Sequence, residues 1–129
     1  MYKTKKDGFK MIVSANNGNF PVNNTEELKA ALNAACGEIW LGEDTDSYPC
    51  IAVLCCEGGA SLNYFVSSGG DMYVSVGNKS ARGSIDVNVD GEAYTIECRT
   101  IIPESKILEC AAEFMNDMKL PACIGWEKL

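Results

Sequence analysis

The chain has 129 residues, a mass of 13.9 kDa, and 47% apolar against 22% charged residues. That length serves one domain with a single core, and the balance excludes disordered, collagenous and membrane-spanning classes. Eleven Lys plus Arg against eighteen Asp plus Glu leave a net charge of −7, which argues against direct nucleic-acid binding through phosphate neutralisation and for a basic partner.

Residues 9–15 read as a first strand, closed by the turn-rich Asn16-Asn17-Gly18-Asn19. A helix follows, with Asn24 as its cap and Glu27 reaching back as in a capping box. Leu28, Ala31, Leu32 and Ala35 form one apolar stripe, and Gly37 ends it. Residues 38–41 suit another strand, placing Trp40 in the core, and residues 42–47 a polar acidic loop before Pro49. The apolar run 50–56 suits a central strand covered on both faces. Gly58-Gly59 turns the chain, and 62–67 and 71–77 pair through a two-residue Gly69-Gly70 turn.

The clearest hairpin is 84–99. A turn at Asp90-Gly91 sets Val87 opposite Tyr94 and Ile85 opposite Ile96 on one face, with Asp86, Asn88, Thr95 and Glu97 on the other. Pro103 opens a second helix at about its first position, burying Ile107, Ala111, Phe114 and Met118, and the helix stops before Pro121. Residues 123–127 form a short terminal strand or tail. Short turns between the central strands rule out parallel crossovers. The predicted class is α+β: an antiparallel β-meander sheet packed with two main α-helices, in a single domain over 1–129.

Histidine is absent, which removes Ser-His-Asp and Cys-His catalysis, His-ligated zinc and His general bases. With no Walker, dinucleotide or Gly-x-Ser-x-Gly motif either, the chain reads as a non-enzyme with no catalytic residues, cofactor or metal. The seven cysteines, Cys36, Cys50, Cys55, Cys56, Cys98, Cys110 and Cys123, include no Cys-x-x-Cys pair and read as small buried hydrophobes. The basic N-terminus runs into too short an apolar stretch for a signal peptide, and no stretch is long enough to span a membrane. The expected compartment is a reducing cytoplasm.

Candidate binding residues are acidic and aromatic. Glu109, Glu113 and Asp117 recur at i+4 and line one helix face, with Lys106 relieving part of their repulsion. They are either a solvated face or a patch matched to a basic surface. Glu43, Asp44 and Asp46 cluster on a loop that lacks the Gly and Glu spacing of an EF-hand, which leaves a plain surface loop or a partner-binding one. Tyr48, Tyr64 and Tyr73 are either core residues or interface anchors, and Trp126, like Trp40, reads as core.

The ending Ala111-Ala112-Glu113-Phe114, then Leu120-Pro121-Ala122-Cys123-Ile124-Gly125-Trp126-Glu127, resembles that of the bacterial immunity protein family Imm-one. Members close with a Phe-bearing amphipathic helix, a Pro, and an apolar residue two before a Trp. The resemblance implies a protein that neutralises a cognate toxin, typically a deaminase-fold enzyme of a polymorphic or contact-dependent system. It also marks Phe114, Pro121, Trp126 and Glu127 as family-motif residues, read here as structural. An acidic inhibitor of that kind could occlude a basic substrate channel. Glu43, Asp44, Asp46 and Tyr48, with the Gly69-Gly70-Asp71 tip, would form much of the contact. The free chain is expected to be a monomer or weak dimer. Two rival readings remain: a small-ligand-binding module using the concave face of the sheet, and an enzyme using carboxylates alone, for which no motif argues.

Overall fold

The computed structural model describes residues 9–35, 37–89 and 91–129. The expectations for the basic N-terminus over residues 1–8, for Cys36 and for Asp90 at the hairpin turn lie outside them. The chain folds as α+β, with two helices and a mostly antiparallel sheet.

The first strand starts at Met11, two residues later than expected. A turn at Asn16-Asn17 then joins β1 (Met11–Ala15) to β2 (Gly18–Val22). The expected turn over residues 16–19 is therefore shorter than its composition indicates: Gly18 and Asn19 already belong to β2, although Gly18 and Pro21 are poor strand formers. They are tolerated because β2 lies at the sheet's edge, where Pro21 withholds no N–H from a neighbouring strand. Helix α1 (Thr25–Ala34) begins as its sequence indicates: the Asn24 side chain accepts from the Glu27 N–H at 2.9 Å, and the Glu27 carboxylate accepts from the Asn23 N–H at 2.7 Å.

Strand β3 (Ile39–Gly42) and strand β4 (Cys50–Cys56) flank the acidic loop, and β4 matches its apolar run residue for residue. Only its first four residues, 50–53, are buried on both faces. The next turn is Glu57-Gly58, with Gly59 already inside β5 (Gly59–Phe65), rather than Gly58-Gly59. The tight Gly69-Gly70 turn is also corrected. A wider loop leads to β6 (Met72–Val76), closed by a bond from the Val66 N–H to the Asp71 carbonyl at 3.1 Å. The hairpin of β7 (Ser84–Val89) and β8 (Glu92–Glu97) has the expected register, Val87 opposite Tyr94 and Ile85 opposite Ile96, but forms its own two-stranded sheet.

A short 3-10 turn, Cys98–Thr100, leads to β9 (Ile101–Pro103), which the sequence did not reveal. Pro103 ends this strand and caps α2 (Glu104–Asp117) rather than occupying its first turn. Met118, in the left-handed conformation, stops the helix, and β10 (Gly125–Lys128) ends the fold.

In the large sheet the order is β2-β1-β3-β4-β5-β6-β10, and every pairing is antiparallel. The far edge of β5 forks: residues 59–61 pair with β9, and residues 63–65 pair with β6. Buried hydroxyls stitch the fork. Ser75 Oγ donates to the Thr100 carbonyl at 2.6 Å and accepts from the Leu62 N–H at 2.9 Å. Thr100 Oγ1 donates to the Glu97 carbonyl, so Ser61 Oγ is the donor in the 2.9 Å Ser61–Thr100 bond. Backbones meet closely here, since a side chain on Gly59 or Gly77 would strike the Ile102 or Ile101 carbonyl.

Register separates the two faces. Val13, Leu41, Ile51 and Tyr64 face one side in a row, where they form one core with Leu28 and Ala31 of α1 and with Cys110, Ala111, Phe114 and Met115 of α2. Ser14, Trp40, Ala52, Asn63 and Val74 form the corresponding row on the other face. No described helix is long and apolar enough to cross a membrane.

Candidate functional site

Trp40 lies on that second face and is 36% exposed, which corrects its assignment to the core. The signal was present in the sequence. Ile39 and Leu41 are both buried on the helix side, and strand alternation sends the residue between them the opposite way. The Trp40 ring packs beside Phe65 with centroids 5.7 Å apart, and its Nε1 donates to a Glu38 carboxylate oxygen at 3.1 Å.

The loop after β3 is held by its own backbone. The Asp44 N–H donates to Ser47 Oγ at 2.8 Å, the same hydroxyl donates back to the Asp44 carbonyl at 3.1 Å, and the Asp44 carboxylate accepts from the Thr45 N–H. Tyr48, 49% exposed, follows and precedes a cis Pro49. Loop and strands enclose a groove of about 470 Å³ lined by Ser14, Trp40, Asp44, Asp46, Tyr48 and Cys50. Burial raises the Cys50 thiol, which is therefore uncharged at neutral pH and unsuited to nucleophilic work. What remains is an aromatic wall under a carboxylate rim, a combination that receives cationic side chains through ring faces and ion pairs.

The other candidate acids divide between two places. Glu43, on the rim loop, is exposed. Asp71 lies at the same end of the sheet, because Gly42, Cys50, Phe65 and Met72 form one register row next to both loops. Its carboxylate pairs with Lys128 at 3.3 Å, and Val66 beside it is 42% exposed. Glu109, Glu113 and Asp117 lie instead on α2, on the other side of the sheet, and do not act as one solvent-facing stripe. Glu109 pairs with Lys106 at 3.2 Å, and Asp117 accepts from the Lys119 N–H at 3.0 Å. Glu113 is half-buried and binds the Ala122 and Cys123 N–H groups at 3.0 and 3.1 Å. The bond from Ala122 is the main cause holding its carboxyl below the usual value.

The family-motif residues converge around the helix end. Phe114 is fully buried, edge-on to Tyr64 at 6.0 Å, and the buried Pro121 accepts at its carbonyl from Trp126 Nε1 at 2.7 Å. The Trp126 ring lies 6.2 Å from Tyr64, and Glu127 grips the Arg99 guanidinium with both oxygens, at 3.0 and 3.1 Å. Tyr64 is buried and Tyr73 partly so, which leaves Tyr48 as the exposed member of the three tyrosines. The cysteines are more varied than expected: Cys50 and Cys110 are buried, Cys56, Cys98 and Cys123 half-buried, and Cys55 exposed.

Among the described residues, no three Cys, Asp or Glu side chains gather as a metal ion would require. No family model matches the chain, and no curated protein matches it.

Proposed function

We propose that the protein is an immunity protein, which binds a cognate bacterial toxin domain in the producing cell's cytoplasm and occludes its substrate site. The toxin class that the C-terminal resemblance suggests is a nucleic-acid deaminase. Such an enzyme needs a basic channel, and this chain carries a net charge of −7. The observation that carries the reading is the groove itself, where Trp40 and Tyr48 stay exposed beside Asp44 and Asp46. Exposed aromatics flanked by charge are the usual anchors of a protein interface. Glu43, on the same loop, extends the acidic field towards the partner, and Asp71, ion-paired with Lys128 at the same end of the sheet, borders it.

The test is co-expression with the toxin domain encoded beside this chain, scoring survival and co-purification. Rescue with a stable complex supports the reading. A Glu43→Lys, Asp44→Lys, Asp46→Lys triple variant should then associate about tenfold more slowly and lose most of its salt dependence. Full protection by that triple, with unchanged rate, removes the loop from the mechanism.

A second reading rests on the same groove, whose volume of about 470 Å³ lies within the range of small-molecule sites. An apolar cation that binds in the groove without any toxin partner would favour it.

A further inference from the structure

The Sγ atoms of Cys110 and Cys123 lie 3.0 Å apart. Cys110 is fully enclosed on α2, and Cys123 is half-buried in the link between Pro121 and β10. The two thiols are in hydrogen-bond contact. The link is fixed by the Glu113 carboxylate on the Ala122 and Cys123 N–H groups, and by Trp126 Nε1 on the Pro121 carbonyl. A disulfide needs sulfurs about 2 Å apart, so closure brings this pair about 1 Å nearer.

We propose that Cys110 and Cys123 form a covalent modification site, closed to a disulfide by low-molecular-weight disulfides of the glutathione class. Cys123 is the point of entry because Cys110 has no exposed surface. The Cys123 thiolate attacks one sulfur of the small disulfide, forming a mixed disulfide and releasing one small thiolate. Cys110 gives up its proton and attacks Cys123 Sγ, expelling the second small thiolate. Two protein thiols lose two electrons and two protons, and one small disulfide becomes two small thiols. Burial raises both thiols, so each is almost wholly protonated at neutral pH and exchange is slow. The pair therefore stays reduced under brief exposure and closes under a sustained oxidising poise. Closure ties α2 to the segment that carries β10 along the edge of β6. This site stands apart from the groove and from the identity of any partner.

The test treats the fully reduced, folded chain with excess oxidised glutathione, followed by intact mass, peptide mapping without reductant, and thermal melting. The expected result is a loss of two hydrogens, a cross-linked peptide joining Cys110 to Cys123, and a melting temperature higher by on the order of 10 °C. Cys123→Ser should fold by circular dichroism yet show neither the cross-link nor the rise, with Cys123→Ala as the second variant if the serine perturbs the link. Two results overturn the proposal: Cys110 and Cys123 both still alkylated once the treated protein is unfolded, or cross-links that map to other cysteines such as Cys56 and Cys98.

Discussion

The two regions where acids and aromatics meet use them in opposite ways. Around the end of α2, Glu113, Trp126 and Glu127 each bind a partner within the chain, and Phe114 is fully enclosed. Around the loop after β3, Trp40 and Tyr48 remain 36% and 49% exposed beside Asp44 and Asp46. The same residue types thus hold the fold together in one region and face outwards in the other. Substitutions in the first should act on stability, and substitutions in the second on binding.

The largest stability loss is expected from Phe114→Ala, about 3–5 kcal/mol by chemical denaturation, because a fully buried ring leaves a cavity beneath Tyr64. Trp126→Phe keeps a ring beside Tyr64 but removes the donor to the Pro121 carbonyl, and should lose about 1–2 kcal/mol.

Glu113→Gln weakens the grip on the 122–123 link by about 1 kcal/mol at neutral pH. Because the folded Glu113 value is lowered, its contribution is fully present above the ordinary 4.5 and disappears as pH falls through the folded value. Denaturation curves for the parent and the Gln variant should therefore converge in acid. Curves that stay parallel would show that the carboxylate charge does not hold the link.

Trp40→Ala should cost less than about 1.5 kcal/mol of stability, the worth of its contact with Phe65, while weakening a partner that uses the groove by about thirtyfold in titration calorimetry. The smallest stability effect belongs to Asp46→Lys, within about 0.5 kcal/mol, with its cost appearing in the association rate measured by stopped flow. A Trp40 variant that lost stability like Phe114→Ala would erase the distinction between the two regions.

Features with local causes were legible in the sequence. The Asn24 and Glu27 cap, the bounds of β4 and the register of the 84–97 hairpin all follow from neighbours a few residues apart. Pairings across long separations were not. Nothing in Ile101-Ile102-Pro103 reveals that it meets residues 59–61, and β2 was hidden because Gly18 and Pro21 argue against a strand until its edge position is known. The site was half legible: Asp44, Asp46 and Tyr48 line the groove, but Trp40 was placed in the core and its exposure came only from alternation within β3. The i+4 spacing of Glu109, Glu113 and Asp117 could not distinguish an outward stripe from residues bound to their own chain, since Glu113's partners lie in the link beyond Pro121.

Pro21 on β2 has a consequence for behaviour in concentrated solution. A sheet's outermost strand invites a second molecule to add its own strand by main-chain bonding, the first step towards fibrils. Pro21 leaves a gap in the row of donors that such an addition would need, and at the opposite margin β10 presents the charged Glu127 and Lys128. Both margins thus discourage edge-to-edge growth, and the chain can keep aromatic surface exposed on its open face without offering a template for aggregation along its sides.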